Sequence, residues 1–308
     1  MKNALVLGGT GFVGRHVCEA LHREGWRITV PTRRARNAQA IQHLPRLTVL
    51  EANVHDAAAL NALVTSHDVV INLVAILHGN VNSFELNHVR LPSLIAQACR
   101  AQGVRRLIHI SALGAQAQAP SLYQRSKARG EAVLQAAEEA GDLDLTVIRP
   151  SVIFGAGDKF LNTFAALQSV LPFVPLAGAD TRFQPVWVSD VAQAVLHCAR
   201  DHHTIGQTID AVGPDVLRLV DLVRLAGLAS GHPRPVFGVP EWVGQLQAWA
   251  MALMPGEPLM STDNLRSMRV DNVRSGNGPD LHTLGITPTG VAAIVPTYLR
   301  ARQGTTRP

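Results

Sequence analysis

The sequence is short of cysteine, of tyrosine and of long uncharged apolar runs, and each shortage excludes something. Three cysteines, Cys18, Cys99 and Cys198, are spread through 308 residues with no C-x-x-C pair. That pattern argues against a disulfide framework and reads as buried, reduced thiols in a cytoplasmic protein. No uncharged apolar run reaches the roughly 18–20 residues that a spanning helix needs. The run from Trp242 to Gly256 comes nearest, but it is shorter and holds Gln245 and Gln247. A cleavable leader is not expected, because removing the N-terminus would remove the first apolar β-run with it. Charged residues make up 17% of the chain and apolar residues 47%, a balance that builds a core and excludes global disorder. The net charge is +5, yet the basic residues are dispersed apart from Arg33-Arg34-Ala35-Arg36. The expected partner is therefore an anionic small molecule and not nucleic acid.

What is present begins almost at the first residue. Leu5-Val6-Leu7 runs into Gly8-Gly9-Thr10-Gly11-Phe12-Val13-Gly14, and an amphipathic stretch from Arg15 to Arg23 follows. A strand, a tight glycine turn and a helix N-terminus in that order suit a nucleotide pyrophosphate. Free backbone N–H groups and the positive end of the helix dipole face the anion, and glycines let the main chain approach it. Gly8, Thr10, Gly11, Phe12, Val13 and Gly14 are the expected phosphate-turn residues.

Residues 1–150 alternate between β-type runs (Ala4–Leu7, Arg27–Pro31, Leu47–Glu51, Val69–Val74, Leu107–Ser111, Leu145–Arg149) and helical patterns (Gly14–Glu24, Ala57–Thr65, Glu85–Gln102, Tyr123–Ala140). Apolar strands alternating with helices predict an α/β fold, a Rossmann-type doubly wound parallel sheet with its ligand crevice at the carboxyl ends of the strands. After Arg149-Pro150 the alternation stops. Helical patterns at Phe160–Leu171, Val188–Ala199, Val216–Leu228, Glu241–Leu253 and Val291–Arg300 are joined by Pro- and Gly-rich connections, with β-runs at Thr208–Val212 and Pro235–Val239. Residues 151–308 thus read as a smaller, mostly helical lobe for substrate or partner, whose first part can add strands to the main sheet.

The end of the second strand reads Thr32-Arg33-Arg34, with no carboxylate until Glu51. A ribose-binding Asp or Glu is the usual mark of NAD(H) there. Guanidinium groups at Arg33 and Arg34, assisted by Arg15, suit a 2′-phosphate instead, so NADP(H) is preferred and NAD(H) stays open. Asn53, followed by Val54 at the end of the third strand, stands where an amide can reach the adenine edge, or where a strand simply turns. Tyr123 and Lys127 lie four apart, one turn along a helix. An ammonium about 4 Å from a phenol favours phenolate by roughly 4 kcal/mol at an effective dielectric of 20. Ser111, at the end of the fifth strand, can bond the same substrate oxygen, and Asn87 can orient Lys127 through water.

These residues together resemble the short-chain dehydrogenase/reductase superfamily in its extended or atypical branch. The match runs through the Gly8–Gly14 turn, Asn72-Leu73-Val74-Ala75, Ser111-Ala112-Leu113-Gly114-Ala115, Tyr123 with Lys127, and Arg149-Pro150-Ser151-Val152-Ile153-Phe154-Gly155. Downstream, Gly157-Asp158-Lys159-Phe160-Leu161-Asn162, the run Arg182–Ala192 and Pro240 before Glu241 are similar to the group of the ninth alpha-subcomplex accessory subunit of mitochondrial complex I and its bacterial relatives. The resemblance implies that Leu73, Val74, Ala75, Lys127 and Pro150 line the coenzyme, and that Ser111, Tyr123 and Lys127 are the catalytic set. It also implies a non-catalytic alternative, since the mitochondrial member of that group looks like a structural, coenzyme-holding subunit and other relatives are associated with ubiquinone biosynthesis. Asn53 departs from the aspartate common at its position.

Weaker signals have plainer readings. His197, His202 and His203 lack a companion carboxylate or cysteine set at ligand spacing, so no metal is expected. Asp190 reads as capping or dipole complementarity at a helix start. Trp242, Val243, Leu246, Trp249, Ala250, Leu253 and Met254 make an apolar stripe, which can be core or can meet a protein partner or the inner face of a membrane peripherally. The leading expectation is a cytoplasmic NADP(H)-dependent oxidoreductase of a carbonyl/alcohol pair. Its cleft would draw on Ile76–Gly79, Leu113–Pro120, Ile153–Gly157 and Phe183–Trp187, which favours an apolar or quinone-related substrate over a nucleotide sugar. A coenzyme-holding accessory protein and a redox-sensing regulator are the alternatives.

Overall fold

Strand β1 (Asn3–Leu7) is buried on both faces, with Ala4 and Val6 in one apolar cluster and Leu5 and Leu7 in another. An uninterrupted apolar run is what a strand covered on both sides requires. The computed structural model describes residues 2–240, 242–245 and 261–299. Around β1 stand β2 (Arg27–Thr32), β3 (Leu47–Glu51), β4 (Val69–Asn72), β5 (Arg106–Ile110), β6 (Asp144–Pro150) and β11 (Gln207–Ala211). They form a parallel sheet of seven strands among the described residues, in the order β11-β6-β5-β4-β1-β2-β3. Helices α1 (Phe12–Arg23) and α7 (Val188–Arg200) cover one face. Helices α2 (Ala57–Val64), α4 (Leu91–Gln102) and α5 (Leu122–Glu139) cover the other. The strand order reverses between β1 and β4, which places the ligand crevice above their carboxyl ends.

The Rossmann-type sheet expected from the alternation is present, and its last strand comes from later in the chain. Helix α7 and β11 return from beyond residue 150 to close the sheet edge beside β6. The remaining elements build a second core around Phe154, Phe164, Val174, Leu222 and Val295. They are β7 (Ile153–Phe154), α6 (Leu161–Val170), β8 (Val174–Ala177), β9 (Arg182–Phe183), β10 (Val186–Trp187), β12 (Leu217–Arg218), α8 (Leu219–Ser230), β13 (Val236–Val239), α9 (Thr262–Ser267) and α10 (Val291–Leu299). Helix α8 begins three residues later than its apolar pattern because Leu217 and Arg218 pair with β9.

The single helix expected over Glu85–Gln102 is instead α3 (Val81–Glu85), a wide π-turn at Leu86–Arg90, and α4. Pro92 has no N–H to give the His88 carbonyl, so the regular ladder cannot form there. A Cβ on Gly130 of α5 would lie 1.9 Å from that same carbonyl oxygen, so α5 packs against the freed backbone. Gly130→Ala is expected to destabilise the fold by about 2 kcal/mol or more through overpacking, measurable by thermal denaturation.

Other expectations resolve here. Asp190 caps nothing in its own helix; its carboxylate accepts the Thr289 N–H at 2.7 Å and the Thr289 hydroxyl at 3.3 Å, tying α7 to the approach of α10. His197 faces Asp201 at 3.3 Å, and no group of three metal-ligating side chains occurs among the described residues. The Trp242–Met254 stripe lies outside the described residues except for Trp242, which is 68% exposed, and Val243. No described helix is long and apolar enough to cross a membrane.

Candidate functional site

The turn from β1 to α1 gives each glycine a different task. Gly8 has φ +83°, and a Cβ there would lie 3.1 Å from the Leu73 carbonyl carbon. Gly11 donates its N–H to the Gly8 carbonyl at 3.0 Å, and Arg15 donates to the Gly11 carbonyl at 3.0 Å. The N–H groups of Phe12, Val13 and Gly14 are thus the open first turn of α1, free to face an anion. A Cβ on Gly14 would sit 2.3 Å from the Gly8 carbonyl oxygen, so only hydrogen fits where helix and turn meet. The Leu73 N–H continues the sheet to the Leu7 carbonyl at 2.9 Å, and the Val74 N–H is held by the Asn72 side-chain oxygen at 3.2 Å. Leu73 and Val74 are therefore brought against the glycine turn.

At the far side of the crevice Arg33 and Arg34 are exposed beyond the end of β2. Glu51 stands opposite Thr32 in register, and its carboxylate caps the Ala35 N–H at 2.5 Å. The Asn53 side chain accepts the His55 N–H at 3.1 Å, the plain strand-end turn. The residue that points inward here is His55. Its Nδ1 is buried without a partner, and its pKa is held below the usual value first by burial, against the nearby Asn87 side chain, and further by Arg33 and Arg90. Arg90, exposed at the end of the π-turn, thus stands near the same imidazole as Arg33. The sequence did not reveal this, because the π-turn sets which side of Leu86–Arg90 each side chain takes.

Two of the residues expected to transfer a proton, Ser111 and Lys127, stand at the end of β5. Lys127 is 1% exposed and donates from Nζ to the Ile110 carbonyl at 2.6 Å. Burial draws its pKa down to about 8, opposed by Glu131, which is itself paired with Arg149. The Ser111 hydroxyl is buried and has no hydrogen-bond partner. Tyr123 stands one turn before Lys127 with its ring edge-on to His88 (5.5 Å) and Phe84 (6.3 Å). Burial pushes its phenol up to about 12. This corrects the ammonium–phenolate expectation, because the ammonium is committed to a main-chain carbonyl while desolvation governs the phenol. Asn87 does not serve Lys127; its amide donates to the Ser83 carbonyl at 2.8 Å.

The next residue, His88, takes the inner position. Its Nε2 accepts the Ile76 N–H at 3.1 Å, and its Nδ1 meets the Ser126 hydroxyl at 2.8 Å. Ser126 donates to the Tyr123 carbonyl, so Nδ1 carries the proton and the ring is neutral. Burial, with Lys127 beside it, lowers its pKa to about 3. His88 therefore fastens the strand-4 loop to the helix that carries Tyr123.

The second lobe completes the site from above. Asp263 of α9 accepts the main-chain N–H groups of Leu122 and Tyr123 at 2.7 and 3.0 Å, capping α5 across some 140 residues of sequence. Asn272 donates to the Leu113 carbonyl at 3.2 Å and accepts the Ser151 hydroxyl at 2.6 Å. Arginines on this side are paired: Arg182 with Asp271 at 2.8 Å, Arg274 with Asp280 at 2.6 Å and Arg218 with Asp221 at 2.9 Å. Pro150 closes β6, and its carbonyl accepts the Leu113 N–H at 2.8 Å.

Comparison with known proteins agrees with this geometry. The sequence model of the NAD dependent epimerase/dehydratase family matches residues 4–211. Subunit 9 of the alpha subcomplex of mitochondrial NADH dehydrogenase [ubiquinone] from Mus musculus is 35% identical over 298 residues, covering 93% of this chain and 76% of that protein. A ceramide reductase from Caulobacter vibrioides is 28% identical over 196 residues, covering 63% of this chain and 60% of the relative. Among solved structures, UDP-glucuronic acid 4-epimerase from Bacillus cereus, in complex with UDP-glucuronic acid and NAD, superposes with a TM-score of 0.74 at 15% identity, covering 97% and 99% of the two chains. With the family model matching two thirds of its length and a seven-stranded parallel sheet at its centre, this chain belongs to the NAD dependent epimerase/dehydratase family.

Proposed function

We propose that the protein is an NADP(H)-dependent oxidoreductase that reduces a carbonyl on an apolar substrate. The observation that supports the reading is that Lys127 bonds the Ile110 carbonyl next to the unpartnered Ser111 hydroxyl at the end of β5, with Tyr123 one turn before Lys127 on α5. When bound, the nicotinamide supplies the hydride. Tyr123, a neutral phenol at physiological pH, is suited to give its proton to the substrate oxygen. The unpartnered Ser111 hydroxyl is available to bond that same oxygen. Lys127 keeps two of its three N–H donors for a ribose hydroxyl pair. The pairing of Arg182, Arg218 and Arg274 with aspartates supports the apolar substrate class over a sugar-nucleotide diphosphate.

Arg33 and Arg34, exposed just beyond the end of β2, support the 2′-phosphate of NADP(H). Arg33→Ala is expected to weaken NADPH roughly tenfold and NADH less than twofold, by fluorescence titration. The outcome against this reading is NADH binding more tightly than NADPH in the unaltered protein. The decisive test of catalysis is Tyr123→Phe with a carbonyl and quinone panel. Turnover should fall at least a hundredfold with coenzyme affinity unchanged. Lys127's commitment to the Ile110 carbonyl and the likeness to a respiratory complex subunit favour a second reading, a coenzyme-holding accessory protein. That reading gains if no panel member is turned over, or if Tyr123→Phe changes nothing. The exposed Trp242 then marks a side for a protein partner or a peripheral membrane contact.

A further inference from the structure

Arg15, the residue after the third glycine, does not join Arg33 at the end of β2. It reaches the opposite way, toward the loop that leaves β7. A Cβ built on Gly157 would lie 3.3 Å from Arg15 Nη2, and one on Gly155 would lie 3.6 Å from Phe12 Cζ, so this loop rests on the first turn of α1. Both glycines have positive φ, +150° and +90°, which shapes the loop closely around the helix start. The loop is held rigidly. Asp158 is 3% exposed and accepts the main-chain N–H groups of Gly155 (3.1 Å), Phe160 (2.8 Å) and Asn162 (3.2 Å), and the Tyr298 hydroxyl (2.9 Å). Between the glycine turn and this loop, Arg15 is half-buried, its Nε is buried without a hydrogen-bond partner, and it pairs with no carboxylate among the described residues. Arg182, Arg274 and Arg218 of the second lobe, by contrast, are each paired with an aspartate. A guanidinium left unpaired beside open helix N–H groups has the donor geometry for a phosphate.

We propose that Arg15 holds the nicotinamide-side phosphate of the coenzyme diphosphate, closing on it from the Gly155–Asp158 loop. The side follows from the sheet order: the loop leaves the β6 half of the sheet, whereas β2 and β3 carry the adenosine end. This rests on the dinucleotide reading above, and the test separates the two. Arg15→Ala, checked for an unchanged circular dichroism spectrum and melting temperature, is titrated with NADPH, with NADH, and with adenosine 2′,5′-bisphosphate. That last probe keeps the 2′-phosphate and the adenosine-side phosphate but lacks the other. Both dinucleotides should weaken by a similar factor, roughly tenfold or more, while the bisphosphate is unaffected. Arg15→Lys should recover part of the loss. Weakening of NADPH and the bisphosphate with NADH spared would put Arg15 on the 2′-phosphate and overturn the proposal. Weakening of all three would move it to the adenosine-side phosphate and overturn it equally, as would no change in any. An unaltered protein that binds neither dinucleotide would remove the coenzyme reading itself.

Discussion

Gly14→Ala is expected to abolish coenzyme binding, raising the dissociation constant more than a hundredfold. The added methyl would lie 2.3 Å from the Gly8 carbonyl oxygen and 2.6 Å from the Gly9 Cα. Both are main-chain atoms that cannot swing aside as a side chain would, so the start of α1 must lift off the turn. The N–H groups of Phe12, Val13 and Gly14 then lose the common aim that makes the helix start an anion site. Overpacking of this kind also lowers stability, by about 1–3 kcal/mol. Gly103→Ala supplies the control. Gly103 ends α4 with φ +69° and nothing within 4 Å of its would-be Cβ, so the change strains the backbone without touching the crevice. It should cost about 1 kcal/mol of stability and leave coenzyme affinity unchanged. Calorimetric titration and thermal melting of both variants decide the matter; equal coenzyme affinity in the two would refute the phosphate-turn assignment.

Lys127→Met is expected to make the protein more stable and less able to bind coenzyme. Lys127 is almost fully buried, and its pKa is drawn from 10.5 down to about 8. Below pH 8 the folded protein carries a buried ammonium at a cost that the unfolded chain avoids. Between about pH 8 and the unfolded value of 10.5 the unfolded chain binds more protons at Lys127, so this group's contribution to stability rises with pH. The buried thiols Cys18, Cys99 and Cys198, pushed up to about 12, 12 and 11, pull the other way above pH 9. A shift of this size corresponds to roughly 3 kcal/mol at neutral pH. Methionine fills a similar volume without charge, although it strands the Ile110 carbonyl that Nζ now satisfies. The net gain should be about 1–2 kcal/mol at pH 7, and the rise that Lys127 contributes above pH 8 should vanish. Tyr123 bounds the window from above. Its phenol, pushed up to about 12, stays protonated in the fold while the unfolded chain ionises from pH 10, so stability falls beyond that point. The difference between variant and parent in denaturant melts at pH 7, 9 and 10 reads the two Lys127 effects, and melts at pH 11 read that of Tyr123. A variant less stable than the parent at pH 7 would contradict the buried-charge account.

How much of this was legible in the residues differs between the two halves of the site. Apolar runs and glycine spacing are local signals, and they correctly placed β1, the glycine turn, α1 and the parallel sheet. Tyr123 and Lys127 were legible as a pair on one helix face, but spacing is silent on what each side chain meets. That Lys127 would give its bond to Ile110, and that desolvation would raise the phenol, depends on contacts between β5 and α5. The inward turn of His88 in place of Asn87 arose because Pro92 denies the His88 carbonyl a donor, which widens the helix by one residue. Asp263 capping α5 is a contact across some 140 positions, and its neighbourhood in sequence offered no helix of which it could be the cap. Asn53 takes the strand-end turn that was one of its two readings, whereas Asp190, read for its own helix, bonds Thr289 some 100 positions away.

The central claim is that the Gly8–Gly14 turn and α1 hold a nicotinamide dinucleotide, and calorimetric titration of the purified protein tests it most directly. The account predicts saturable one-to-one binding of NADPH, tighter than NADH, with a matching rise in melting temperature. No heat of binding and no thermal shift with any of NADPH, NADP+, NADH or NAD+ would contradict it.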